Sequence, residues 1–118
     1  MKRALLVAVI AAVGAVGLAG CGANHNTENF RMAITSKNGV SSFSFATVTV
    51  TQGNDVNFHV DNTTDKEHGF SIDAFGIHKV VQAGHAEIVS FRPNKTGQFT
   101  VYCQLHPTHV QSRLIVVG

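Results

Sequence analysis

From Phe30 onward, apolar and polar residues alternate with a period of two along much of the chain. Phe30, Met32 and Ile34 form one such run, followed by Phe43 and Phe45, Val48 and Val50, and Val56, Phe58 and Val60. Apolar positions return at Phe70 and Ile72, Val80 and Val81, Ile88 and Phe91, Phe99 and Val101, and Leu114 through Val117. Side chains of a strand point alternately to its two faces, so this pattern predicts strands with one face buried. Turn-forming clusters separate the runs: Lys37-Asn38-Gly39, Gln52-Gly53-Asn54-Asp55, Asp61-Asn62-Thr63-Thr64-Asp65, Ala83-Gly84-His85 and Pro93-Asn94-Lys95-Thr96-Gly97. Seven or eight short strands at this spacing predict an all-β sandwich or barrel. No stretch after the N-terminal segment sustains helical periodicity, and neither an internal repeat nor a second domain is visible.

The first twenty residues have a different pattern. Met1-Lys2-Arg3 supplies a positive start, residues 4–16 are apolar and rich in Ala and Val, and Leu18-Ala19-Gly20-Cys21 places small residues before a cysteine. This predicts a bacterial lipoprotein signal peptide over residues 1–20, with cleavage before Cys21 and lipid on that cysteine. An uncleaved anchor would need about 20 apolar residues; residues 4–20 fall short and contain three glycines. Residues 21–29 then read as a lipidated tether and residues 30–118 as the single folded domain. The expected location is the outer face of a bacterial membrane, periplasmic or at the cell surface.

Charge narrows the partners. The chain has nine Lys/Arg and seven Asp/Glu, and without Lys2 and Arg3 the two signs balance at seven each. There is no basic cluster, so nucleic acid is not an expected partner, and attachment to a membrane has to come from the lipid.

The cysteine count adds the candidate chemistry. The chain has two cysteines; lipid on Cys21 would leave Cys103 without a partner in an oxidising compartment. Cys103 could be an inert buried thiol, but it opens Cys103-x2-His106-x2-His109, where a predicted strand over residues 98–103 runs into a loop containing Pro107. A thiolate and imidazoles on one loop can converge on a metal ion at the end of a sandwich. A further histidine from another segment is expected, and His68, between the polar stretch 61–66 and Gly69-Phe70, is its natural source. The bland alternatives are a solvated loop residue for His109 and an exposed one for His68. Glu67 reads as a solvated charge or as a hydrogen-bond acceptor for a histidine. Such donors suit copper in a His2Cys set with a weaker further ligand, and they also suit tetrahedral zinc.

Two runs carry a family resemblance. Glu67-His68-Gly69-Phe70-Ser71-Ile72-Asp73-Ala74-Phe75-Gly76, together with Gln82-Ala83-Gly84 and Phe99-Thr100-Val101-Tyr102-Cys103-Gln104-Leu105-His106-Pro107, resembles the cupredoxins. The likeness is greatest to nitrosocyanin, the red copper protein of ammonia oxidisers, itself similar to the copper domains of cytochrome oxidase subunit II and nitrous oxide reductase. The resemblance implies a Greek-key β-sandwich holding one copper ion, with Cys103 as thiolate ligand, His106 as the imidazole after it and His109 as the second loop histidine. This loop is shorter than the family's. Nitrosocyanins also have glutamate immediately before Gly-Phe, where this chain has His68. Neighbouring strand residues face opposite ways, so either His68 ligates, as in ordinary cupredoxins, or the backbone bends to bring in Glu67. A dinuclear copper site needs two bridging cysteines in one loop and is excluded.

The expected function is a mononuclear copper electron carrier, tethered to the membrane and working with redox partner proteins. No nucleophile–base pair or substrate pocket is legible, so an enzyme is not expected. Copper delivery to a membrane oxidase or reductase, and a nitrosocyanin-like site that reacts with a small molecule, are the alternatives. His59, His78, His85 and His25 are expected at the surface, and Phe70, Phe91, Phe99 and Tyr102 in or near the core.

Overall fold

The alternating runs become nine strands: β1 (Thr27–Lys37), β2 (Val40–Phe43), β3 (Thr47–Thr51), β4 (Asp55–Asn62), β5 (His68–Ile72), β6 (Ile77–Val81), β7 (Ala86–Phe91), β8 (Gly97–Val101) and β9 (Ser112–Val117). A 3-10 turn, Asp73–Phe75, joins β5 to β6. This is a computed structural model, and it describes residues 25–118. The signal peptide expected over residues 1–20 and the lipidated Cys21 lie outside the described residues.

One sheet has the order β2-β1-β4-β7 and the other β3-β9-β8. The β5-β6 hairpin extends the second sheet: Ser71 and Tyr102 exchange backbone hydrogen bonds of 2.8 and 3.0 Å across β5 and the end of β8. The all-β sandwich expected from the alternation is what forms.

Strand β4 shows the logic most clearly. Val56, Phe58 and Val60 are fully buried while the residues between them reach the other face. Burying each such side chain contributes about 1.5–3 kcal/mol. Ile34, Phe70, Ile72, Val101 and Leu114 meet them from the other strands, and Phe58 packs edge-on to Phe70 with ring centroids 5.8 Å apart.

Strand β1 begins at Thr27, inside the stretch expected to be tether, although Thr27, Glu28 and Asn29 offer no apolar signal. It is held by parallel pairing with β4 from Thr27↔Asp55 onward and by Glu28 Oε2, which accepts from Thr51 N (2.9 Å) and Asn54 Nδ2 (2.7 Å).

Strand directions sort the loops into two ends. β1 and β4 run parallel, and the connection 63–67, the turn 82–85, the β1-β2 hairpin and the loop 104–111 gather where they finish. The turns 52–54 and 92–96 gather where β1 and β4 start, with Gln52 N bonded to Val117 O and Gly53 N to Pro93 O.

Candidate metal centre

The end where β4 finishes holds three metal-binding side chains close together. The donor atoms of His68, Cys103 and His106 all lie within 4.8 Å of one another. Cys103 Sγ is 3.5 Å from His106 Nδ1 and 4.0 Å from His68 Nδ1. Cys103 and His68 are buried, and His106 is half-buried.

Each donor is fixed by its own segment. His68 opens β5, a strand buried along its whole length. Its approach is set by Asn62, which is fully buried: Nδ2 donates to the carbonyls of Lys66 (2.7 Å) and Val81 (2.9 Å), and Oδ1 accepts from Thr64 N (2.9 Å) and Thr64 Oγ1 (2.8 Å). Val81 is the β6 partner of His68, so one amide ties the loop before the histidine to the strand beside it. Asn62→Ala removes all four of these hydrogen bonds, the buried one to Val81 O among them. It is expected to cost about 2 kcal/mol or more and to lower the Tm of the metal-free protein by roughly 10 °C, read by circular dichroism.

Cys103 follows the Ser71–Tyr102 pairing at the end of β8. Gly69 N donates to its sulfur at 3.1 Å, joining the residue after His68 to the thiol across the two strands. Gln104 locks the same corner, since Ser71 Oγ donates to its Oε1 (2.6 Å) and its Nε2 donates to Lys79 O (3.1 Å). Tyr102 is anchored outside: its hydroxyl donates to Asp73 Oδ1 at 2.7 Å, and His78 Nε2 lies 2.8 Å from that oxygen. These two hydrogen bonds hold the Asp73 carboxyl below its ordinary value, and the bond to Asp73 raises the Tyr102 phenol.

The loop returns through His109, whose N–H donates to His106 O at 3.1 Å, and docks on β2 where Val110 N donates to Ser41 O at 2.9 Å. His109 is buried against Phe43, ring centroids 4.4 Å apart, and its ring lies 5.2 Å from that of His68. Nδ1 is 3.0 Å from the Val110 carbonyl, which can only accept, so Nδ1 carries the proton. Nε2 therefore presents a lone pair, and it is buried without a partner. His109 stands beside the three-donor group rather than within it.

Burial, followed by the nearby His106 and His109, lowers the His68 pKa below its ordinary value, and burial does the same for His109. Both rings are thus neutral near pH 7, the form that ligates metal. Glu67 is exposed, one residue outside the buried His68. His25, His78 and His85 are exposed and outside the three-donor group, and His59 lies on the outer face of β4, 3.2 Å from Arg31 Nη1.

The sequence profile of the cupredoxin-like domain matches residues 7–116. The chain belongs to the cupredoxin-like domain family. No curated protein matches it. Three solved structures share the cupredoxin fold with it. The metal-binding domain of the Streptococcus pneumoniae D39 Cu(I)-exporting P-type ATPase CopA, determined with Cu(I), is 15% identical with a TM-score of 0.57, the match covering 75% of this chain and 96% of that one. A multicopper oxidase, mgLAC, is 20% identical with a TM-score of 0.61, covering 76% of this chain and 38% of the oxidase. A chain of a heme-copper terminal oxidase dimer is 20% identical with a TM-score of 0.55, covering 64% of this chain and 56% of that one. This cupredoxin thus spans about half or less of the two oxidase chains. Its thiol and imidazoles lie where β5 and the loop after β8 meet, and that combination can hold a soft or borderline metal ion.

Proposed function

We propose that this cupredoxin binds one copper ion through His68, Cys103 and His106, with His109 as a further donor, and serves as an electron carrier tethered to a membrane through lipid on Cys21. The observation that carries the reading is the convergence of one sulfur and two imidazole nitrogens within 4.8 Å. The donors fit copper, because a thiolate favours Cu(I) and imidazole suits Cu(II). The unpartnered Nε2 of His109 fits as well, since a buried acceptor left empty costs about 1–3 kcal/mol.

Bound copper would supply a one-electron couple between Cu(I) and Cu(II). The chain's own part is to keep the donors still. His68 and Cys103 come from strands cross-linked by Ser71–Tyr102, Gly69–Cys103 and Gln104, so they need move little when the charge at the centre changes. Phe43 and Phe70, whose rings meet edge-on at 5.5 Å, put apolar surface on the protein side. His106 is the donor that reaches solvent. The lipid would hold the carrier near membrane-bound partners and raise their effective concentration.

Copper delivery is the second reading, favoured by the likeness to a Cu(I)-holding domain of a copper exporter. Against it, the one methionine among the described residues, Met32, is buried in β1 rather than offered at an exposed, metal-releasing site.

Potentiometric titration of the copper-loaded protein separates the two. A carrier shows a visible band that bleaches and returns over a single one-electron wave and does not change on adding azide. Binding of Cu(I) alone, with rapid transfer to an acceptor chelator, would establish delivery instead. A band that shifts with azide would point to an open, reactive site of the nitrosocyanin kind.

A further inference from the structure

We propose that the tether is pinned to the end of the sandwich opposite the metal centre, so that the anchored domain stands upright with the centre facing away from the lipid surface. The inference rests on the lipid attachment at Cys21 proposed above and adds the orientation of the site.

The geometry comes from strand direction. β1 enters at the start of β4, with Thr27 paired to Asp55, and both strands run toward the metal end. From Asp55 to Asn62 the rise at about 3.3 Å per residue is roughly 23 Å, and His68 and the loop 104–111 lie at the far end of that run.

The chain ahead of β1 is tied to the near end. Asp55 N donates to Asn26 O at 2.9 Å, and Asn26 N donates to Asn54 Oδ1 at 3.1 Å. Arg92 bridges the same place, its Nη2 donating to Asp55 Oδ1 at 2.7 Å and to His25 Nε2 at 2.9 Å. With His25 and Asn26 held, four peptide steps separate Cys21 from the body of the domain, at most about 14 Å of chain. A leash of that length keeps the near end at the lipid surface.

A redox partner therefore meets the half-exposed His106 from the compartment, above the plane of the bilayer.

The test uses the full-length lipidated chain reconstituted in anionic phosphatidylglycerol vesicles that contain a headgroup-linked quencher. A fluorophore is placed on Asn94→Cys at the tethered end or Ser36→Cys at the metal end. Both positions are exposed, and the parent chain treated alike measures labelling at Cys103. Several-fold greater quenching at position 94 than at position 36 is expected. Equal or reversed quenching on chains that float with the vesicles overturns the orientation and leaves the anchor standing. Failure to float, or flotation unchanged by Cys21→Ser, overturns the lipid anchor and the orientation with it.

Discussion

Cys103→Ser is expected to abolish the intense visible absorption of the copper-loaded protein and to weaken copper binding by more than the roughly 10- to 100-fold typical of losing a supporting residue. The band of a copper–thiolate centre comes from electron density passing from sulfur to metal, and an alkoxyl oxygen is too hard a donor to replace it. The substitution is small and keeps an acceptor for Gly69 N–H, which now donates to the sulfur at 3.1 Å. The fold should survive, with a stability change within the range of ordinary single substitutions, about 0.5–3 kcal/mol. Titration with Cu(II), followed by absorption and paramagnetic resonance on both proteins, reads the effect directly. A band that persisted in the variant would remove Cys103 from the centre.

Gly69→Ala should damage the same centre without touching a donor atom. A Cβ at position 69 would stand 2.9 Å from the backbone nitrogen of Gln104 and would overlap that residue's side-chain amide. The side chain could swing away, giving up its bonds to Ser71 and Lys79. The backbone nitrogen belongs to the peptide joining Cys103 to Gln104, so relief at that point moves the sulfur itself. Overpacking of this kind costs about 1–3 kcal/mol, a Tm loss of roughly 5–20 °C in a domain of this size. The copper spectrum should shift as well. Gly76→Ala is the control: Gly76 has φ 66° with nothing within 4 Å of an added Cβ, so it should lose stability through backbone strain while keeping its spectrum. Identical spectra for both variants would show that the Gly69–Gln104 contact does not set the geometry of the centre.

The parts of the fold legible in the sequence are those that one strand decides alone. The alternation in Val56, Phe58 and Val60 needs only one wet and one dry face, and β4 carries it out. The start of β1 was not legible, because Glu28 and its neighbours are held by groups more than twenty residues away. Asn62 reads as part of a polar turn; it is fully buried, because Lys66, Val81 and Thr64 surround it with backbone and hydroxyl partners. Strand β5 shows a third kind of failure. The core covers Phe70 and Ile72 on one side, while Gln104 covers Gly69 and Ser71 on the other, and nothing within His68–Ile72 announces that second cover. The grouping of Cys103 with His106 was legible because they share a loop. The loop spacing gave no sign that His109 would turn one nitrogen to its neighbour's carbonyl and leave the other buried and empty.

Strand β9 lies between β3 and β8, pairing parallel with one and antiparallel with the other. It follows both in sequence, so until residues 112–117 arrive β3 has no hydrogen-bonding partner in that sheet and β8 has only the Ser71–Tyr102 pair with β5 at its end. A polypeptide emerging N-terminus first must hold two open edges until then, and such non-local pairing is slow to form. The loop bearing Cys103, His106 and His109 is closed by the same strand. Assembly of the centre thereby waits on the pairing of β9 with β3 and β8, and metal capture becomes a report that this sheet has closed.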